Sequence, residues 1–115
     1  MPEAVLNVIS MIKDSQNLNK QLTELVKVSG YSYVHLARLF KEHVNMTLNQ
    51  YFVTARMNCA RLLLENTNKN ILEISSQVGY SSLSHFNHTF KNFFKITPTK
   101  FRKNWQNFYN SFEEL

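Results

Sequence analysis

Apolar residues recur at three- and four-residue spacing along most of the chain, the signature of helices that bury one face. Residues Ala4–Lys13 carry Val5, Val8, Ile9 and Ile12 on one stripe. Leu22, Leu25 and Val28 form a short second stripe that stops at Gly30, a natural site for the left-handed residue that ends a helix. The chain restarts at Ser32, a good N-cap, and runs to about Val44 with Leu36, Leu39, Phe40 and either His43 or Val44 facing inward. Thr47 followed by Gln50 is a capping box, and it opens a long segment to Glu65 with Leu48, Tyr51, Phe52, Ala55, Cys59, Leu62 and Leu63 at helical spacing. Ile71, Ile74 and Val78 then precede Gly79, and Ser81 or Ser82 caps a helix holding Phe86, Phe90 and either Phe93 or Phe94. Thr97-Pro98, an N-cap with Pro at the first helical position, starts a final helix through Phe101, Trp105 and Phe108. The pattern predicts an all-α fold of seven helices, in which the Thr47–Glu65 helix, roughly 27 Å long, joins two halves.

Laid on itself, the chain repeats. Residues 22–32 (LTELVKVSGYS) match 71–81 (ILEISSQVGYS) at an offset of 49, pairing Glu24 with Glu73, Gly30 with Gly79, Tyr31 with Tyr80 and Ser32 with Ser81. One residue is then inserted, and the match continues at an offset of 50, where His35 falls on His85, Phe40 on Phe90, Lys41 on Lys91, Thr47 on Thr97 and Tyr51 on Phe101. Both glycines of the protein hold the same place in the two copies. Each copy is a short helix, a glycine turn and a second helix, which is the helix-turn-helix pattern.

Composition narrows the picture further. Two Gly and two Pro in 115 residues cannot supply the turns of a many-stranded sandwich or barrel, while 43% hydrophobic residues with nine Phe, five Tyr and one Trp suffice for a packed core. The net charge of +5 sits mainly in residues 66–103, ahead of an acidic tail, and a basic domain of this size has nucleic acid or another anionic surface as its first candidate partner. The single cysteine, Cys59, cannot close an intramolecular disulfide, and the first residues lack the basic region and cleavage site of a signal peptide. A soluble, cytoplasmic protein without membrane contact is the expectation.

If Leu36, Leu39 and Phe40 are buried, helical geometry turns Tyr33, Val34, Ala37, Arg38 and Lys41 outward. In the second copy the outward set is Ser82, Leu83, Ser84, His85, Asn87, His88 and Lys91. These types suit a major groove: Arg38 for guanine, Asn87 for adenine, Val34 and Ala37 for thymine methyls, Lys41 and Lys91 for phosphate. No acidic residue interrupts the first face before Glu42. His35 and His85, near the turns, read as packing or capping residues, and Cys59 as a small core residue. His85 and His88 lie at i, i+3, but no Cys or acidic partner stands near them to complete a zinc site, so no metal or other cofactor is expected. Arg56 reads as solvated and Arg61 as support for packing between the units.

The pattern L-x-E-L-x(4)-G-Y-S-x-x-H-L-x-R-x-F-K, then A-R-x-L-L, then I-x-E-I-x(4)-G-Y-S-x(4)-F-x(3)-F-K-x-x-F-x-x-T-P-x-x-F-R resembles the DNA-binding domain of AraC/XylS-type transcription regulators. The resemblance runs from about Leu22 to Arg102, and its specificity lies in two unequal units with a one-residue offset and the T-P-x-x-F-R ending. It implies a homeodomain-like pair of helix-turn-helix units, with residues 1–65 holding the leading helix, first unit and linker helix, and 66–115 the second unit, closing helix and tail. It further implies two recognition helices in successive major-groove segments, with Val34, Ala37 and Arg38 reading bases from Tyr33–Lys41 and Leu83, Ser84, Asn87 and His88 reading them from Ser82–Lys91. His88 stands where the family often has Arg, and Ala37 where a longer polar side chain is common. Double-stranded DNA is the implied partner and RNA polymerase a further candidate. The family joins this domain to a sensing or dimerising domain, so the chain reads as part of a longer regulator, with a stand-alone regulator as the other option.

Two other classes compete. A non-specific nucleic-acid binder or helical interaction module would use the basic stretch 91–103 without reading bases, and would show salt dependence without sequence preference. An enzyme has no support, since no phosphate loop, paired carboxylates or nucleophile-base spacing occurs.

Overall fold

The structure, a computed structural model, describes residues 1–114; the last residue of the expected span 1–115 lies outside them. The described residues form seven α-helices and no strand: α1 (Glu3–Lys13), α2 (Leu22–Val28), α3 (Tyr33–Val44), α4 (Leu48–Asn66), α5 (Ile71–Gln77), α6 (Leu83–Phe94) and α7 (Pro98–Glu113), with one 3-10 turn at Ser15–Asn17. The helix starts are set by side chains that take orphan backbone N–H groups. The hydroxyl oxygens of Ser32, Ser82 and Thr97 accept from the N–H of His35, His85 and Lys100, and the side-chain Oδ1 of Asn70 accepts from Glu73 N–H. At α4 the capping box is complete, with Gln50 N–H donating to Thr47 Oγ1 and Thr47 N–H to Gln50 Oε1, both at 3.0 Å.

The stops are equally local. Gly30 and Gly79 have φ of +82° and +98°, the conformation that turns the chain from α2 into α3 and from α5 into α6. The C-caps of α3 and α6 are left-handed too, but there the residues are Asn45 (φ 63°) and Lys95 (φ 66°).

The chain divides into two compact units, Met1–Arg56 and Met57–Leu115. In the first, Ala4, Val5, Val8 and Ile12 of α1 are buried, as are Leu22, Leu25 and Val26 of α2, Leu36 and Phe40 of α3, and Leu48 and Phe52 of α4. In the second, Met57, Ala60 and Leu64 of α4 are buried, together with Ile74, Val78, Tyr80, Phe86 and Phe90. Around Phe90 the rings of Phe94, Phe101 and Phe86 lie 4.7, 5.8 and 5.9 Å away between centroids, so the expected phenylalanine stripe is core. Val44 and Phe94, not His43 and Phe93, complete the inner stripes of α3 and α6.

Four expectations are revised. Val28 is 75% exposed, and Val26 takes its place in the core; the aligned position in the second unit, Ser75, is likewise buried. Leu62 is exposed, because the second half of α4 buries Met57, Ala60 and Leu64, which at about 100° per residue lie on a different side of the helix from Leu48 and Phe52. Arg56 is not a solvated surface residue: its guanidinium donates from Nε to the Leu18 carbonyl at 3.0 Å and from Nη2 to that of Lys20 at 2.8 Å, and lies 4.2 Å over the Phe52 ring. Arg61, expected to support packing between units, pairs with Glu65 of its own helix at 3.0 Å.

Arg102 makes the matching clamp in the second unit. It donates to the carbonyls of Leu64 and Thr67 at 3.2 Å, of Leu63 at 3.4 Å, and of Lys69. Lys20 and Lys69 occupy aligned places in the repeat, but Arg56 and Arg102 do not; Phe52 is the residue aligned with Arg102. Two arginines one helical turn out of register therefore grip equivalent segments leading into α2 and α5.

Candidate nucleic-acid interface

Burial repeats more closely than sequence does. Positions 31–50 and 81–100 have the same degree of burial at every aligned residue, although most of the side chains differ. Both α3 and α6 are twelve residues long, follow a glycine turn, start on a serine cap and sink two large side chains, Leu36 with Phe40 and Phe86 with Phe90. This common anchoring decides which side chains face out.

On α3 the outward residues are Tyr33, Val34, Arg38 and Lys41, with Val34 80% exposed. Ala37 is half-buried beside them. On α6 they are Leu83, Ser84, His85, His88 and Lys91, with Asn87 half-buried at the place aligned with Ala37. Ser82 precedes α6 and its hydroxyl is engaged as the cap, accepting from His85 N–H at 3.2 Å. Apart from Ser82, the residues of each half of the expected site are thus carried by one helix, with Ala37 and Asn87 set lower than the rest.

Electrostatics favour an anion on both faces. α6 contains no acidic residue, and α3 has only Glu42. The two units carry net charges of +2 and +3, and Lys95, Lys100 and Lys103 follow Lys91 along the second.

The histidines have distinct settings. His35 stacks on Tyr31 with ring centroids 5.8 Å apart and planes at 20°, and its Nδ1 lies 3.3 Å from Arg38 Nη2. His85 meets the buried Tyr80 edge-on at 5.2 Å. His88, in the place aligned with Arg38, has its Nε2 3.0 Å from the side-chain amide of Asn92. Among the described residues no group of three or more His, Cys, Asp or Glu could hold a metal ion, and no helix is long and apolar enough to cross a membrane. A groove of about 400 Å³ in the second unit, lined by Leu64, Trp105 and Tyr109 among others, contains no residue of either recognition face. Cys59 is half-buried, and burial pushes its thiol up from the ordinary value.

The arginine clamps were missed by sequence reasoning. Their acceptors are main-chain carbonyls, which leave no pattern of residue types to read; the one available signal is the recurrence of an Arg after each second helix, displaced by a turn.

Known proteins share this arrangement. A helix-turn-helix domain model matches residues 25–104. The chain is 34% identical over 106 residues to the Msm operon regulatory protein of Streptococcus mutans, covering 91% of the chain but 38% of that protein. It is 36% identical over 107 residues to the probable transcription factor PqrA of Proteus vulgaris, covering 90% of the chain and 88% of the relative. Among solved structures, an AraC-type DNA-binding domain regulator from Chromobacterium violaceum superposes with a TM-score of 0.76 at 30% identity, over 89% of this chain and 91% of that one. With its two glycine-turn units, matching second helices and these relatives, the chain belongs to the AraC-type helix-turn-helix family of bacterial transcription regulators.

Proposed function

We propose that the chain is the sequence-specific DNA-binding part of a bacterial transcription regulator, with α3 and α6 entering successive major-groove segments of double-stranded DNA. The observation that carries this reading is the pair of equally anchored helices whose exposed faces hold groove-compatible side chains and almost no negative charge. Val34, Ala37 and Arg38 read bases from α3, with Arg38 forming a bidentate contact to guanine; Leu83, Ser84, Asn87 and His88 read them from α6. Tyr33, Lys41, Ser82, His85 and Lys91 flank these positions, and the lysines neutralise phosphate. Ala37 and Asn87 contact only bases that approach closely, since both are half-buried. The chain spans 38% of the Streptococcus mutans relative and 88% of the Proteus vulgaris one, so the same reading holds either for part of a longer regulator with a sensing or dimerising region or for a stand-alone regulator, with RNA polymerase in the cytoplasm as the target of its output.

A DNA-protection footprint with the chain, on a site selected from random double-stranded DNA, tests the mechanism. Protection of two adjacent major-groove segments is expected, and protection of one alone sinks the two-reader mechanism. On the same DNA, Arg38→Ala flattens preference at one base pair at a cost of about 1–3 kcal/mol, whereas Lys91→Ala weakens all sequences alike.

A further inference from the structure

The first reading helix contains a feature that its own repeat lacks. Arg38 is a cation that can only donate, so the 3.3 Å contact from its Nη2 to His35 Nδ1 requires that nitrogen to accept, which puts the imidazole proton on Nε2. The ring that accepts is itself held: its plane stacks on Tyr31, and its backbone N–H is taken by Ser32 Oγ at 3.2 Å. Of the five guanidinium N–H donors only one is spent here, which leaves the edge that a bidentate contact to guanine needs. In the second unit this chain of contacts is broken. His85 keeps its ring contact with Tyr80, but the residue aligned with Arg38 is His88, and it pairs forward with Asn92 and not back with His85.

We infer that His35 is a positioning residue for base recognition: backed by Tyr31, it holds the Arg38 guanidinium on the groove side of α3 before DNA arrives. The inference rests on the assignment of Arg38 as a base reader. An exposed arginine samples many rotamers, and ordering it on binding costs affinity; a guanidinium already restrained loses less freedom when it meets its base. The benefit falls on the base pair that Arg38 reads and on no other. A residue that merely packed the turn would affect every DNA sequence equally.

Two substitutions divide the ring from the acceptor. His35→Phe keeps an aromatic ring for Tyr31 and removes the nitrogen, whereas His35→Asn loses the ring but places an amide oxygen near the Nδ1 position. The probe is double-stranded DNA selected from a randomised pool by the unaltered chain, with its single-base-pair variants, in competition titrations at fixed salt. His35→Phe should lower preference at the base pair read by Arg38 about two- to tenfold, leave preference elsewhere unchanged, and have no further effect when Arg38→Ala is already present. His35→Asn should restore part of that preference. An unaltered preference in His35→Phe, or an equal loss of affinity on all sequences, overturns the positioning role while Arg38 remains a reader. If Arg38→Ala itself leaves preference unchanged, the reading of the first unit fails and the positioning role fails with it.

Discussion

Replacing Arg102 by Ala should destabilise the chain far more than its half-exposed position suggests. The side chain is the shared donor for the carbonyls of Leu64, Thr67, Leu63 and Lys69, where the chain leaves α4 and enters α5. Counting only the two part-buried contacts at 3.2 Å, and taking ~1.5 kcal/mol for each hydrogen bond to a charged group, the loss is ~3 kcal/mol. An unfolding entropy of roughly 2.1 cal/mol/K per residue over 115 residues converts this to a fall of about 12 °C in the thermal midpoint. Arg102→Lys keeps the charge but not the planar fork, and should recover less than half of the loss. The control is Arg61→Ala, which breaks only an i, i+4 ion pair whose arginine is 34% exposed, worth about 0.3–0.5 kcal/mol before screening by solvent. Circular dichroism melts of the three variants give the comparison. A midpoint for Arg102→Ala within a few degrees of that for Arg61→Ala would refute the clamp as a structural element.

Three further outcomes are expected. Lys95→Gly should raise stability by about 1 kcal/mol, because Lys95 sits at φ 66° where a side chain is strained; a lower urea midpoint than the parent contradicts this. Phe90→Ala should cost about 3–5 kcal/mol, as a fully buried ring among Phe86, Phe94 and Phe101 leaves a cavity that helices close poorly; equilibrium denaturation measures it. Burial holds the Cys59 thiol above its ordinary 9.0, so above that pH the unfolded chain releases its proton first and stability falls as pH rises. The stability advantage over Cys59→Ala should therefore shrink as pH rises past 9.0, and an unchanged difference would contradict the burial.

The repeat made α3 and α6 legible, because the constraints that shape them act through residue type. Only glycine sits easily at the positive φ of Gly30 and Gly79, and serine or threonine at a cap announces a helix start. The core of α2 was harder, since Leu25, Val26 and Val28 offer three apolar residues in four positions and spacing alone cannot choose between the two valines. The repeat does not choose either, since Val28 aligns with Gln77 and Val26 with Ser75, both polar, and only the fold shows Gln77 exposed and Ser75 buried. Burial in α4 was misjudged because one helix contributes to two units, so its apolar residues do not form a single stripe. The side-chain contact between Arg38 and His35 was open to view at i, i+3, yet nothing in residue order distinguishes a pair that touches from one that points apart.

The hydrogen bonds described for Arg56 and Arg102 end on main-chain oxygens, and in both units the Nε bond closes over the same separation of 38 residues. Hydrogen bonds to carbonyls do not depend on which side chains those residues carry. Substitutions on the outward faces of α3 and α6 can therefore accumulate without loosening the straps, and the two faces are free to diverge in residue type, as Arg38 and the aligned His88 show. The architecture separates the inheritance of a scaffold from the inheritance of a message, which lets a duplicated unit acquire a different specificity while keeping the same frame.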